Sequence, residues 1–264
     1  MPAAATASVA PLGMPKKTTF LTTAKPAGEL PTSEFIKAII YGNPGVGKTT
    51  FACGAPDPFL IDIDRGNKSL NTMGLGHVQV ALPDTLSEVE GIFWEAKSAP
   101  GYKQTYIIDT ITELQRYHLD EIAQAEVMAR KRDRFVNSQQ DYNESTNLIR
   151  KIGLMFRELP ANIIFIAHSI EDKDESTGAY ITRPALTPKL SGTLEGMVDL
   201  VGYMEIGVSG FGANETYSRT LRAMPTRRIS AKNRLGLPTL IENPSWAGIV
   251  DLAAKAVKGK AGAK

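Results

Sequence analysis

The segment Gly42-Asn43-Pro44-Gly45-Val46-Gly47-Lys48-Thr49 follows the spacing G-x-x-x-x-G-K-[ST] in full. Those residue types suit a phosphate chain. Glycines let backbone N–H groups close around an anion, and the start of a following helix adds positive partial charge. In that chemistry Lys48 bridges the β- and γ-phosphates, the Thr49 hydroxyl holds Mg²⁺, and Thr50 contacts the α-phosphate. The expected cofactor set is therefore ATP and Mg²⁺, held by Gly42, Asn43, Pro44, Gly45, Val46, Gly47, Lys48, Thr49 and Thr50.

A phosphate loop names the ligand class but not the reaction, so the acids must decide. Asp109 closes the apolar run Tyr106-Ile107-Ile108 and is expected to hold the metal together with Thr49. In many phosphate-loop ATPases of the AAA+ class the next residue is a Glu that activates water. Here it is Thr110. Asp62 and Asp64 lie two apart on one strand face, and Asp64, the further along, is the expected general base. The competing role for Asp64 is to cap the turn at Arg65-Gly66-Asn67. His168 ends the run Asn162–Ala167 and is expected to sense the γ-phosphate, the alternative being a satisfied strand-end histidine. His77 and His118 have no metal-like spacing with it, so no zinc site is expected.

These residues need a sheet edge to bring them together. Phe35–Tyr41, Phe59–Asp64, Tyr106–Asp109 and Asn162–His168 are continuous apolar runs of strand length, as in a parallel sheet buried on both faces. Helical periods lie between them: from Leu86 behind the box-like Thr85-Leu86-Ser87-Glu88, from about Ile111 to Arg132, and from about Asn143 to Leu159. Val198–Val208 and Tyr217–Met224 read as C-terminal hairpin strands. The expected fold class is α/β, with a mainly parallel central sheet flanked by helices. The expected domains are a disordered arm over 1–32, an ATPase domain over 33–250, and a flexible Lys-rich tail over 251–264.

Composition narrows the class. With 264 residues and 42% hydrophobic content, one sizeable core can be buried. No apolar run reaches the roughly 18 residues of a membrane span, and the N-terminus lacks a secretory pattern, so a cytoplasmic protein with no membrane partner is expected. The single cysteine, Cys53, excludes an internal disulfide framework and reads as a small buried residue. The net charge of +2 hides a split: residues 1–218 carry −6 and residues 219–264 carry +8.

Together, the phosphate loop, the Phe-Leu-Ile-Asp-Ile-Asp strand, Ile-Ile-Asp-Thr and Ile-Ala-His resemble the RecA-like ATPase core. Among such cores the chain is most similar to phage nucleotide-binding proteins of the Sak single-strand annealing and recombination type, over about residues 35–240. The resemblance implies a catalytic Glu where this chain has Asp64, and usually a Gln where it has His168. It likens Ser230–Gly236 to a Lys-x-Arg finger, so that Lys232 and Arg234 reach the γ-phosphate of a neighbouring subunit. The alternative is a basic edge strand. It also implies a homo-oligomer, ring or filament, with nucleotide at the subunit interface.

Single-stranded DNA is the expected partner, with a single-strand DNA-binding protein as a further one. The expected contacts are Arg130, Lys131, Arg132 and Arg134 beside Phe135, then Arg183 and Lys189 in a long polar loop over 169–192. For the first group the alternative is a solvated helix face. The leading expectation is a DNA-stimulated ATP hydrolase acting in phage recombination or repair, by annealing or strand exchange. The rivals are a helicase loader or motor subunit, and a non-hydrolysing assembly protein switched by ATP.

Overall fold

Each long apolar run becomes a strand, and the turn residues behind it fix where the chain reverses. The computed structural model describes Lys25 and residues 34–66, 68–131, 136–173, 178–209 and 215–261. In chain order the elements are β1 (Lys37–Gly42), α1 (Lys48–Cys53), β2 (Pro58–Asp62), α2 (Lys68–Thr72), β3 (Gln79–Ala81), α3 (Leu86–Ser98), β4 (Thr105–Asp109), α4 (Ile111–Met128), α5 (Gln139–Arg157), β5 (Asn162–Lys173), β6 (Tyr180–Pro184), α6 (Pro188–Met197), β7 (Leu200–Ser209), β8 (Thr216–Arg222), β9 (Lys232–Asn233), β10 (Leu240–Glu242) and α7 (Trp246–Ala261). Met1–Glu34 and Phe35–Lys264 are separate units. The expected arm over 1–32 lies outside the described residues, apart from Lys25.

The sheet order is β10-β8-β7-β1-β5-β4-β2-β3, with β6 added to β5 and β9 to β7. The pairs β1–β5, β1–β7, β4–β5, β2–β4 and β2–β3 are parallel. The other strands run antiparallel to their neighbours. The fold is α/β with a mostly parallel central sheet, as the alternation of runs and periods predicts.

Period-two alternation divides the strand side chains between two cores. Ile39, Tyr41, Ile61, Ile108 and Phe165 face Val89 and Phe93 of α3, Leu114 of α4, and Ile149 and Phe156 of α5. Ala38, Ile40, Leu60, Ile107 and Ile166 face Phe51 of α1 and Trp246 and Ile249 of α7. The same alternation puts Gly42, Asp62, Asp109 and His168 on the α1 face. Register then aligns them, because Gly42 pairs with His168 and Asp62 with Asp109. Four separate chain segments thus meet along one edge of the sheet.

Capping residues set the helix starts. The Thr85 Oγ1 accepts from Glu88 N at 3.2 Å, while Glu88 reaches back to the Asp84 N–H at 2.6 Å. The box foreseen at Thr85 is therefore closed one residue upstream. Ser138 and Asp141 form a full reciprocal box at the start of α5.

Two expectations need correction. The stretch 251–264, expected as a flexible tail, is helical to Ala261 as part of α7. Ala and Lys are strong helix formers, and the buried Trp246 and Ile249 anchor the helix at i, i+3 spacing. α7 thus runs across residue 250, the expected end of the ATPase domain. The segment 169–192, expected as a polar loop, is largely a hairpin followed by a helix. β5 continues to Lys173 and pairs with β6, and α6 begins at Pro188. Arg183 on β6 pairs with Asp172 on β5, which reconciles this acidic strand with its neighbour.

Candidate active site

The phosphate loop connects β1 to α1. Gly45 and Gly47 have φ of +79° and +96°, a region that L side chains rarely adopt. Gly42 allows another close approach, since a Cβ there would stand 2.2 Å from the Met204 carbonyl oxygen. At the start of α1, Gly47 provides no side-chain cap and the first turn holds no acid. A helix start without a side-chain cap or a first-turn acid suits an external anion.

Lys48 is buried, and its Nζ donates to the Gly42 and Asn43 carbonyls, both at 2.9 Å. Burial lowers its pKa, against the pull of Asp109 and Asp64. Thr49 Oγ1 donates to Asp109 Oδ2 at 2.6 Å. Thr50 lines the same cavity.

Asp109 ends β4 and is buried. Burial pushes its carboxyl up to about 6, and the Asp64 and Asp62 carboxylates add to the rise, while Thr49 and Lys48 oppose it. Asp64 follows β2 and receives two contacts. Thr110 Oγ1 donates to its Oδ1 at 3.0 Å, and His168 Nε2 lies 3.3 Å from its Oδ2. Burial works against its charge, but the hydrogen bonds from His168 and Thr110 outweigh it and hold the carboxyl below the ordinary range. Asp62, not Asp64, accepts from the turn, through the Gly66 N–H at 3.1 Å.

His168 is fixed from behind by its own N–H, which donates to Thr112 Oγ1 at 3.1 Å. The next residue ties its strand to the loop: Ser169 Oγ donates to Asn43 Oδ1 at 2.6 Å. Lys48, Thr49, Asp62, Asp64, Asp109 and His168 all line one cavity of about 250 Å³.

The donor set fits a dication. Asp62, Asp64 and Asp109 crowd one cavity, whose lining also holds the cations Lys48 and Arg219. Thr49 and Asp109 supply the hard oxygen ligands that Mg²⁺ prefers. Asp64, Glu113 and His168 bring a second trio of ligand atoms within 4.8 Å of one another.

The chain matches the family described as "AAA domain" over residues 34–235. It belongs to that family. The match spans the phosphate loop, both acids, His168 and the Lys232–Arg234 segment, so this AAA-domain protein is a phosphate-loop ATPase by family. Among solved structures it is similar to a KaiC-like protein from the hyperthermophilic archaeon Pyrococcus horikoshii. That likeness has 13% identity and a TM-score of 0.41, and covers 71% of this chain and 77% of the other. No curated protein matches the chain.

The AAA-domain chain places the remaining expected residues away from this cavity. Lys232 Nζ donates to the Glu195 and Gly196 carbonyls at 2.7 and 2.9 Å, and Arg234 reaches Gly196 at 3.5 Å. Both cations thus cap the C-terminal end of α6. β9 pairs with Leu200 and Val201 at the start of β7, the sheet end opposite the phosphate loop. Arg183 is engaged with Asp172 and with the Leu186 carbonyl. Arg130 and Lys189 are exposed, as is Lys131, which lies 3.4 Å from Glu126. Arg132 and Arg134 lie outside the described residues. Cys53 is buried in α1, as expected.

Two site residues escaped the sequence reading. Glu113 stands in the first turn of α4, and its N–H is received by Thr110 Oγ1 at 3.1 Å. Thr110-Ile111-Thr112-Glu113 is itself a capping-box pattern directly behind Asp109, so a signal was available. Arg219 enters the cavity from β8. No local pattern marks it, because its place depends on the β7–β8 register.

Proposed function

We propose that this AAA-domain protein hydrolyses ATP with Asp64 as the carboxylate that orients the attacking water. The observation that carries this reading is the Thr110–Asp64–His168 arrangement at the cavity that also holds Lys48, Thr49 and Asp109. Water attacks the γ-phosphorus, the bond from that phosphorus to the bridging oxygen breaks, and ADP and phosphate leave. Asp64 accepts the hydrogen bond, and then the proton, of that water. Its lowered pKa keeps it ionised at neutral pH. Mg²⁺, held by Thr49 and Asp109, would neutralise charge on the phosphate oxygens.

Lys48 exchanges its two loop carbonyls for phosphate oxygens. His168 holds Asp64 in place and lies where the γ-phosphate arrives. Because Ser169 is bonded to Asn43, a change at the phosphate loop is passed directly to β5.

The reading extends to single-stranded DNA, in phage-type recombination or repair by annealing or strand exchange. It is supported by the exposed Arg130 and Lys131 at the end of α4, by Lys189, and by the resemblance to Sak-type proteins. A homo-oligomer with nucleotide between subunits belongs to the same proposal. In it Lys232 and Arg234 leave the α6 carbonyls to reach a neighbour's phosphate. The test is ATP turnover with and without single-stranded DNA. Turnover stimulated by DNA and lost in Lys48→Ala is the expected result. Turnover indifferent to any single-stranded DNA overturns the DNA part and leaves the ATPase part standing.

A further inference from the structure

Arg219 approaches the phosphate loop from outside its motif. It sits on β8 opposite Ile206 of β7. Its Nε donates to the Val46 carbonyl at 3.2 Å. Gly47 makes the approach possible, since a Cβ there would stand 2.8 Å from that Nε. Among the described residues the Arg219 side chain makes no other hydrogen bond or ion pair, which leaves both Nη groups for a ligand. Arginine offers donors in a planar fork matched to phosphate oxygens.

Its position along the phosphate chain follows from the two cavities it lines. The first, already described, contains Asp64, Asp109 and His168. The second, also about 250 Å³, lies between Phe51 of α1, Gly54 just beyond it and the Pro244–Trp246 segment, and contains none of those three. Gly47, Thr50 and Arg219 are shared by both. Thr50 is the residue assigned to the α-phosphate, whereas the acids and His168 mark the γ end. Arg219 therefore stands at the α/β end.

We propose that Arg219 is a second cation of the nucleotide site. Its Nε pins the phosphate loop, and its Nη groups bind the α- and β-phosphates of a nucleoside di- or triphosphate. The assignment rests on the nucleotide-binding reading of the loop. A contact made equally to ADP and ATP is uniform binding, so it acts on affinity and not selectively on the reacting γ-phosphate. A charge-assisted bond of this type contributes roughly tenfold to hundredfold in affinity.

The test is calorimetric titration of the full chain and of Arg219→Ala, Arg219→Lys and Lys48→Ala with ADP and with a non-hydrolysable ATP analogue. Thermal unfolding without nucleotide is measured alongside. Arg219→Ala should weaken both ligands by the same factor, about tenfold or more, with kcat/KM falling in parallel. Arg219→Lys keeps the charge and should recover part of the loss. The proposal is overturned if ADP affinity in either Arg219 variant stays within about twofold of wild type, or if the loss is confined to the triphosphate. It is also overturned if Arg219→Lys lowers the unfolding temperature without weakening ADP. Lys48→Ala separates the two claims. If it binds ADP normally, the nucleotide reading fails. If it loses ADP while Arg219→Ala does not, only the Arg219 assignment fails.

Discussion

Lys48 and Lys232 make the same contact in different regions. Each donates its Nζ to two consecutive backbone carbonyls, Gly42 and Asn43 for one, Glu195 and Gly196 for the other. Lys37, at the start of β1, also donates to two carbonyls, those of Leu159 and Ala161, and burial lowers its pKa to about 8. A pair of carbonyls is thus a common way to house an ammonium group in this fold. What separates Lys48 is its surroundings. Its carbonyls belong to a loop whose N–H groups lack a side-chain cap, and it shares a cavity with Asp62, Asp64 and Asp109. The carbonyls under Lys232 belong to the C-terminal end of α6, where a cation completes the helix dipole. One lysine thus lies among the carboxylates of the cavity, the other at a helix end.

The largest effect expected from breaking this contrast is at Lys48. Lys48→Ala should lower turnover by about a thousandfold, the scale for losing a main charge-stabilising group, and should remove measurable nucleotide binding. Retained affinity would mean that the exchange does not occur.

Asp109 comes next, with opposite effects on function and stability. Asp109→Asn should lower Mg²⁺-dependent turnover by about a hundredfold or more. The folded chain without nucleotide holds this carboxyl near 6, above its unfolded value of 3.8. Between those values the folded state binds more protons than the unfolded state, so stability falls as pH rises. The drop is complete above pH 6 and amounts to at most about 3 kcal/mol. Asn keeps the acceptor for Thr49 and removes the charge, so that part of the pH dependence should vanish. Denaturant melts at pH 4 and pH 8 would show it.

Smaller effects belong to the other region. Lys232→Ala should cost about 0.3–1 kcal/mol of stability and leave nucleotide affinity of the isolated chain unchanged, as read by melts and titration. If it abolishes turnover only under conditions where the chain self-associates, the trans-acting finger is supported. Trp246→Ala, which empties a buried site beneath α7, should cost about 3–5 kcal/mol. That loss would confirm that the C-terminal segment is packed structure.

The sheet edge was legible because strand-length apolar runs and their terminal residues share one local cause. The terminal places of Asp109 and His168 and the shared face of Asp62 and Asp64 can be read from the sequence; which helix covers that face cannot. The three-residue strand β3 had too little pattern to read. β5 was cut short at His168 because Glu171-Asp172-Lys173 look unlike a strand, and only their partner Arg183 makes the extension tolerable. The terminal helix is hard to read because its Ala, Gly and Lys enrichment resembles a linker, while only Trp246 and Ile249 carry the packing signal. Arg219 depended on a register between distant strands. Lys232 and Arg234 were recognised by type and spacing, which say nothing of the carbonyls they meet.

The central claim is that Asp64 orients the water. It is tested most directly by single-turnover ATP cleavage in Asp64→Asn and Glu113→Gln, with ATP affinity measured on the same samples. Glu113 is the necessary comparison, because its carboxylate converges on the same point. The account predicts that Asp64→Asn binds ATP normally and cleaves it about a hundredfold or more slowly, while Glu113→Gln stays within about fivefold of wild type. Normal cleavage in Asp64→Asn, with the loss appearing in Glu113→Gln instead, would contradict it.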